Sequence, residues 1–208
     1  MDFGLRGATL TAPTIDLSFP HCWQAEILPA RPLILPKRHF VYPLLAEEVE
    51  RGALEVLIRP QVLASPSPIG AQPSQGVQAF LATFALGFLD PVVPTGLWST
   101  PRAGDLCAVS GGYAYLIDTN EPELFTMVPF RPVLEVRPLI AEALLLFVCH
   151  RNLVAWGPMG MAWESERLSA EGITQIVIEN GILRGLGWDM QTDKETPFAL
   201  DLRTGLRV

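Results

Sequence analysis

The residues in this sequence that could do chemistry are few. In "AWESERL", Glu164 and Glu166 stand two positions apart. On a strand such positions face the same way, so two carboxylates there could share acid–base work or hold a cation. A solvated strand face beside Arg167 is the preferred reading, because charged side chains are mostly exposed. "WDMQTDKE" puts Asp189 and Asp193 in one loop. The Gly and Glu that a calcium loop of the EF-hand type needs are missing, so Asp189 is read as a turn residue binding nearby backbone N–H groups. His21 adjoins Cys22, but sequence neighbours on a strand point apart. His39 and His150 fit neither an HExxH nor a His–Cys zinc pattern. Ser110 precedes Gly111 and Gly112 in "AVSGGYAY", which reads as a two-residue hairpin turn rather than an activated serine. No glycine loop for phosphates is present. The expectation is no catalytic residue, no metal ligand and no cofactor.

The aromatics offer a different chemistry. Trp98, Trp156, Trp163 and Trp188 sit at expected strand ends or turns, where indoles can form a platform for a ligand or fill space between sheets with the N–H on a carbonyl. Packing is preferred for each. Trp156 and Trp163 flank a turn over 157–160 and are expected to face each other across a hairpin. The candidate binding surface comprises Trp98, Asn120, Trp156, Met159, Trp163 and Gln191.

Composition limits what such a surface can meet. The 208 residues carry a formal net charge of -7, and the densest basic run is Lys37, Arg38, His39. Nucleic-acid binding is therefore not expected, since phosphate contacts need clustered Lys and Arg. Three cysteines with no CxxC pair argue against a disulfide scaffold, and Cys149, within "ALLLFVC", is read as a small core hydrophobe. No signal peptide is visible, and the longest apolar run, 143–149, is too short to span a bilayer. The expected setting is cytoplasmic.

The elements that must position these residues are β-strands. Ten of the nineteen prolines precede residue 75, so the first third cannot be mostly central strand. It is read as a Pro-rich segment, 1–75, with a short helix over 43–52 in "PLLAEEVERG", a strand in "ALEVLIR" and a closing Pro/Ser/Gly loop over 64–76. From 76 to 208, short apolar runs alternate with turns. "AYLIDTNEP", "LVAWGPMG" and "FALDLRTG" line up as copies of one strand-turn unit, with Asp118 and Asp201 equivalent. Each follows another strand: "LCAVSGG", "LLLFVCHRN" and "LRGLGWD". Before those come "FLATFAL", "VLEVRPLI" and "ITQIVIENG". The expected fold is all-β, with about three propeller-like antiparallel four-stranded blades, open or completed by N-terminal strands. The last unit lacks a fourth strand, and "ATLTAPTIDLSF" is expected to pair there.

"ALDLRTG" resembles the strand-turn of WD40-type and quinoprotein-type propeller blades, a likeness that covers the last two-thirds of the chain and implies fold only. "LCAVSGGYAYLIDT", "AWESERLS" and "GWDMQTDKETPFALDLRTG" resemble strings in a widespread group of bacterial proteins without an established activity, from about Glu50 onward. Together these readings favour a non-catalytic interaction or scaffold protein that meets a protein partner or a second copy of itself. The alternative is a small enzyme or ligand binder with a polar groove between the repeats, which a groove holding Glu164, His150 or Asp189 and a perturbed titrating group would favour.

Overall fold

The computed structural model describes residues 12–44, 52–61 and 78–208. They form sixteen strands and no helix, arranged in four sheets. β1 (Thr14–Asp16) leaves the N-terminal region for the second sheet. The first sheet has the order β2-β4-β5-β3, from β2 (Trp23–Leu28), β3 (His39–Tyr42), β4 (Ala53–Pro60) and β5 (Phe80–Ala85). The second runs β1-β6-β7-β8-β9, with β6 (Gly96–Ser99), β7 (Asp105–Ser110), β8 (Tyr113–Asp118) and β9 (Phe125–Met127). The third is the meander β10 (Val133–Leu139), β11 (Leu144–Cys149), β12 (Leu153–Gly157), β13 (Gly160–Glu164). The fourth is β14 (Ile173–Glu179), β15 (Ile182–Asp189), β16 (Lys194–Asp201). Only β1 on β6 and β3 on β5 pair in parallel.

Three apolar clusters join consecutive sheets. Val56, Ile58, Phe80 and Phe84 of the first meet Leu106, Ala108, Tyr115 and Ile117 of the second. Cys107, Val109 and Leu116 face the other way, onto Leu145, Phe147 and Cys149 of the third. Leu146, Val148 and Ala155 then face Leu183, Phe198 and Leu200 of the fourth. Period-two alternation sends neighbouring residues to opposite faces, so β7 and β11 are buried throughout. That is why their sequences read as unbroken apolar runs. Cys149 is one of these core residues, and burial pushes its thiol up to about 12.

The first sheet's outer face buries polar groups as a chain. The Thr83 hydroxyl donates to Glu55 Oε2 at 2.6 Å and accepts from His39 Nε2 at 2.9 Å. Arg31 lies 4.0 Å from Glu55. Burial, and next Arg31, hold His39 below the usual histidine value, with Glu55 opposing.

Several expectations change. The helix over 43–52 falls largely on 45–51, outside the described residues, as does most of the 64–76 loop; Pro43 and Leu44 lie in a bend. "FLATFAL", expected to open the first repeat, is β5 and belongs to the first sheet between β3 and β4. The short strand "GLWS" takes its place. The N-terminal strand does not complete the fourth sheet: β1 adds to β6 instead. The C-terminal tail turns back onto β16, where Val208 N–H donates to Ala199 O at 3.2 Å and Leu200 bridges Arg207. Trp156 and Trp163 do not face each other. A bulge after Ala155 sets Trp163 opposite Ala155 and Trp156 opposite Met161, which puts the indoles on opposite faces of the third sheet. Glu164 ends β13, whereas Glu166 lies beyond it in an ion pair with Arg207. They share no strand face.

Two turns behave as their residues dictate. Gly111 and Gly112 both have positive φ, 56° and 74°, as a two-residue hairpin turn of this hand requires. Gly96 admits β1, since a Cβ there would lie 2.0 Å from Thr14 O. Gly96→Ala is therefore expected to displace β1 and destabilise the protein by about 1–3 kcal/mol. Hydrogen exchange should then show faster exchange confined to the β1 and β6 amides.

Candidate functional site

A groove of about 660 Å³ opens between the second and third sheets. Asp105 and Arg102 form one side at the start of β7, Asp118 and Phe125 stand on β8 and β9, and Trp156, Met159 and Gly160 come from the β12–β13 hairpin. Asp105 and Asp118 are direct cross-strand partners. Like charges placed so destabilise a sheet, and Arg102 sits between them. Its guanidinium is 3.0 Å from Asp118 Oδ2 and 3.5 Å from Asp105 Oδ1.

The two carboxylates have different surroundings. Asp118 Oδ1 accepts the backbone N–H groups of Asn120 at 2.9 Å and Glu121 at 3.3 Å. Asp105 Oδ1 is buried and has no hydrogen-bond partner; its distance to Arg102 is long for one. Burial pushes Asp105 up to about 6, with Arg102 opposing and Asp118 adding to the rise. Its backbone is fixed: Asp105 N–H donates to Arg102 O at 2.9 Å, and the Trp23 indole donates to Asp105 O at 3.0 Å. Across the groove, Trp156 Nε1 is likewise buried without a partner. Leaving a buried donor or acceptor without a hydrogen bond costs about 1–3 kcal/mol, and the groove carries such an acceptor on one wall and such a donor on the other.

The groove gathers Trp156 and Met159 from the expected surface, with Asn120 on the adjoining turn. Met159 is 99% exposed at its lip, whereas Trp156 is 8% exposed. Trp98 and Trp163 are core residues; the Trp163 indole donates to Leu202 O at 2.8 Å. Gln191 lies in a separate cleft with Trp188 and Asp189, its backbone N–H on Asp189 Oδ1 at 2.9 Å. Asp201 does the same for Arg203 and Thr204, at 3.1 and 2.9 Å. Asp118, Asp189 and Asp201 thus make equivalent turns, and hydrogen bonds from those turns hold Asp189 and Asp201 below the usual carboxylate value. His21 and Cys22 turn to separate carbonyls, Phe19 O and Ala103 O. The Ser110 hydroxyl is fully buried. No group of three metal-binding side chains occurs among the described residues, and no described helix is long and apolar enough to cross a membrane.

Sequence reasoning passed over Arg102 and Asp105. The signal was the hairpin itself: each of Asp105 and Asp118 is six residues from its nearer turn glycine, so a Gly-Gly turn pairs them.

The fold and groove define an all-β protein of stacked sheets with a polar inter-sheet cleft. No protein-family model and no curated protein matches the sequence. Among solved structures, the chain is similar to the computationally designed Ika4 protein, at 14% identity over 60% of this chain and 74% of that one, with a TM-score of 0.38. It is also similar to the N-terminal domain of Nup159, at 12% identity over 94% of this chain and 52% of that one, with a TM-score of 0.35. Likenesses this distant bear on neither mechanism nor partners.

Asp105 makes stability depend on pH. The folded chain holds its proton up to about pH 6, while the ordinary carboxyl value is 3.8. Between these values the folded state binds more protons than the unfolded state, so stability falls as pH rises through that window. Asp105→Asn removes this cost and is expected to stabilise the protein above pH 6 by on the order of 2 kcal/mol, with the gain gone below pH 3.8. Urea denaturation on both sides of the window measures it.

Proposed function

We propose that this protein is a non-catalytic binding module, an open propeller-like array of sheets whose groove between the second and third sheets grips an extended segment of a protein partner. The observation that carries this reading is the pair of buried polar atoms without hydrogen bonds that face each other across the groove, Trp156 Nε1 and Asp105 Oδ1. One is a donor and the other an acceptor when ionised. A peptide unit offers the matching pair, a carbonyl for the indole and an N–H for the carboxylate, and a small opening of the wall brings them into reach. Met159 at the lip adds an unbranched thioether that adapts to varied side chains. Retaining a carboxyl that costs stability fits a site kept for binding. A second copy of the chain is one source of such a segment. The three free, buried cysteines are consistent with a reducing compartment such as the cytoplasm.

One observation favours a second reading. A carboxyl pushed up to about 6 and set opposite a second carboxyl is suited to general acid–base work. In that case, turnover of some hydrolysable substrate would follow a pH profile with an inflection near 6 and vanish in Asp105→Asn.

Selection from a displayed library of random peptides tests the binding reading. Enriched peptides are expected to lose about tenfold in affinity for Trp156→Phe or Asp105→Asn, the effect of one lost hydrogen bond to a desolvated group. Failure to enrich any peptide, or equal binding to both variants, would sink it.

A further inference from the structure

The groove occupies one end of the second and third sheets: Asp118 closes β8, and Trp156 stands near the end of β12. At the other end, where Tyr113 opens β8 and Leu153 opens β12, a concavity of about 430 Å³ lies between the loop before β10 and the β11–β12 turn. Its lining is Pro129, Phe130, Arg131, His150, Arg151 and Asn152. Two arginines, a histidine and an asparagine thus line one concavity with no acidic residue among its lining, on a chain whose net charge is -7.

Five arginines elsewhere in this protein are paired with carboxylates, whereas Arg38, Arg167, Arg184 and Arg203 have no ion pair among the described residues and do not share a concavity with a second unpaired arginine in this way. Arg31, Arg59, Arg102, Arg137 and Arg207 each stand within 4.0 Å of a carboxylate. Arg131 and Arg151 have no such ion pair among the described residues. Arg131 instead lies over the Tyr113 ring, 4.7 Å from its centre, which orients a guanidinium without consuming its donors. The backbone beneath is fixed. His150 N–H donates to Pro132 O at 3.2 Å, the Asn152 amide donates to Ser165 O at 3.0 Å, and Arg151 O accepts the N–H groups of Leu168 and Ser169 at 2.8 and 3.3 Å. Charged side chains are therefore displayed from a rigid frame.

We propose that this pocket is a binding site for a phosphate monoester. A single carboxylate would balance only one of the two guanidinium groups. A phosphate monoester carries close to two negative charges and three strong acceptor oxygens, and guanidinium forks bind it in bidentate fashion. The site is independent of the groove, so either can fail without the other. A phosphorylated side chain and a small phosphorylated metabolite share this chemistry.

Titrations followed by the backbone amide resonances of residues 150–152, at constant ionic strength, test it. The probes are inorganic phosphate, O-phosphoserine, glycerol phosphate and acetate. Saturable shifts with the phosphates and much weaker ones with acetate are expected. Phosphoserine binding tighter than glycerol phosphate supports a protein source, and the reverse order a metabolite; either upholds the site. Arg131→Gln and Arg151→Gln should each weaken phosphate binding about tenfold, as loss of a charge-assisted bond does, and Arg184→Gln, on the fourth sheet, should leave it unchanged. If Arg131→Gln also loosens the loop through its lost ring contact, Arg151→Gln decides. No saturable shift, an acetate affinity equal to that of phosphate, or an equal loss in Arg184→Gln would overturn the assignment.

Discussion

Alternate residues of β7 and β11 bury in opposite directions, and the architecture depends on this two-sided burial. Leu106 and Ala108 look toward the first sheet, while Cys107 and Val109 look toward the third. Leu145 and Phe147 return that contact, and Leu144 and Leu146 pass on to the fourth. A strand apolar on both faces cannot be solvated on either, so its sheet must be covered twice. The middle sheets are therefore held between neighbours, and the clusters set the order of all four. Among the described residues, the first sheet packs against another sheet on one side only. Its outer face carries Glu55, Thr83 and His39, which satisfy one another in a hydrogen-bonded chain as buried polar groups must.

Close stacking of the second and third sheets places both of their concave sites where strands end. At one end a hairpin brings two aspartates together and Arg102 only partly compensates them. The Asp118 carboxyl accepts the N–H donors of its own turn. Asp105 has no such donors, and its burial is opposed only by the ion pair with Arg102. The same pairing that makes the hairpin regular thus produces a carboxyl with a raised proton affinity. At the other end the cationic side chains of Arg131 and Arg151 stand without carboxylates. Charge of opposite sign is separated along a single pair of sheets in a chain that is acidic as a whole.

The tryptophans illustrate how packing decides the use of a residue type. Trp23 and Trp163 have indole N–H groups on carbonyls at 3.0 and 2.8 Å, the usual settlement for a buried indole. Trp156 is nearly as buried and has none. One bulge in β13, at Ala162, separates these outcomes: alternation along β12 points Trp156 toward the second sheet, and the extra residue turns Trp163 toward the fourth.

Much of the local structure was legible in the sequence. Gly111-Gly112 determined the β7–β8 turn, the unbroken apolar runs determined two-sided burial, and Asp118, Asp189 and Asp201 determined their turns, because each depends on neighbouring residues alone. Prolines flank β1, β2 and β3 and keep these strands short, since a missing N–H cannot extend a ladder. Partnership was decided only in three dimensions. β5 joins the first sheet because pairing with β3 and β4 places Phe80 and Phe84 in a core, whereas its sequence fits either neighbour equally well. "GLWS", four residues between turns, gave too little periodicity to stand out as a strand. The facing directions of Trp156 and Trp163 followed from a register shift that no pattern of residue types encodes. Asp105 lay between these cases: its partner follows from counting out from the hairpin glycines, but its burial, its unmet oxygen and its place opposite Trp156 required a second sheet to close over it.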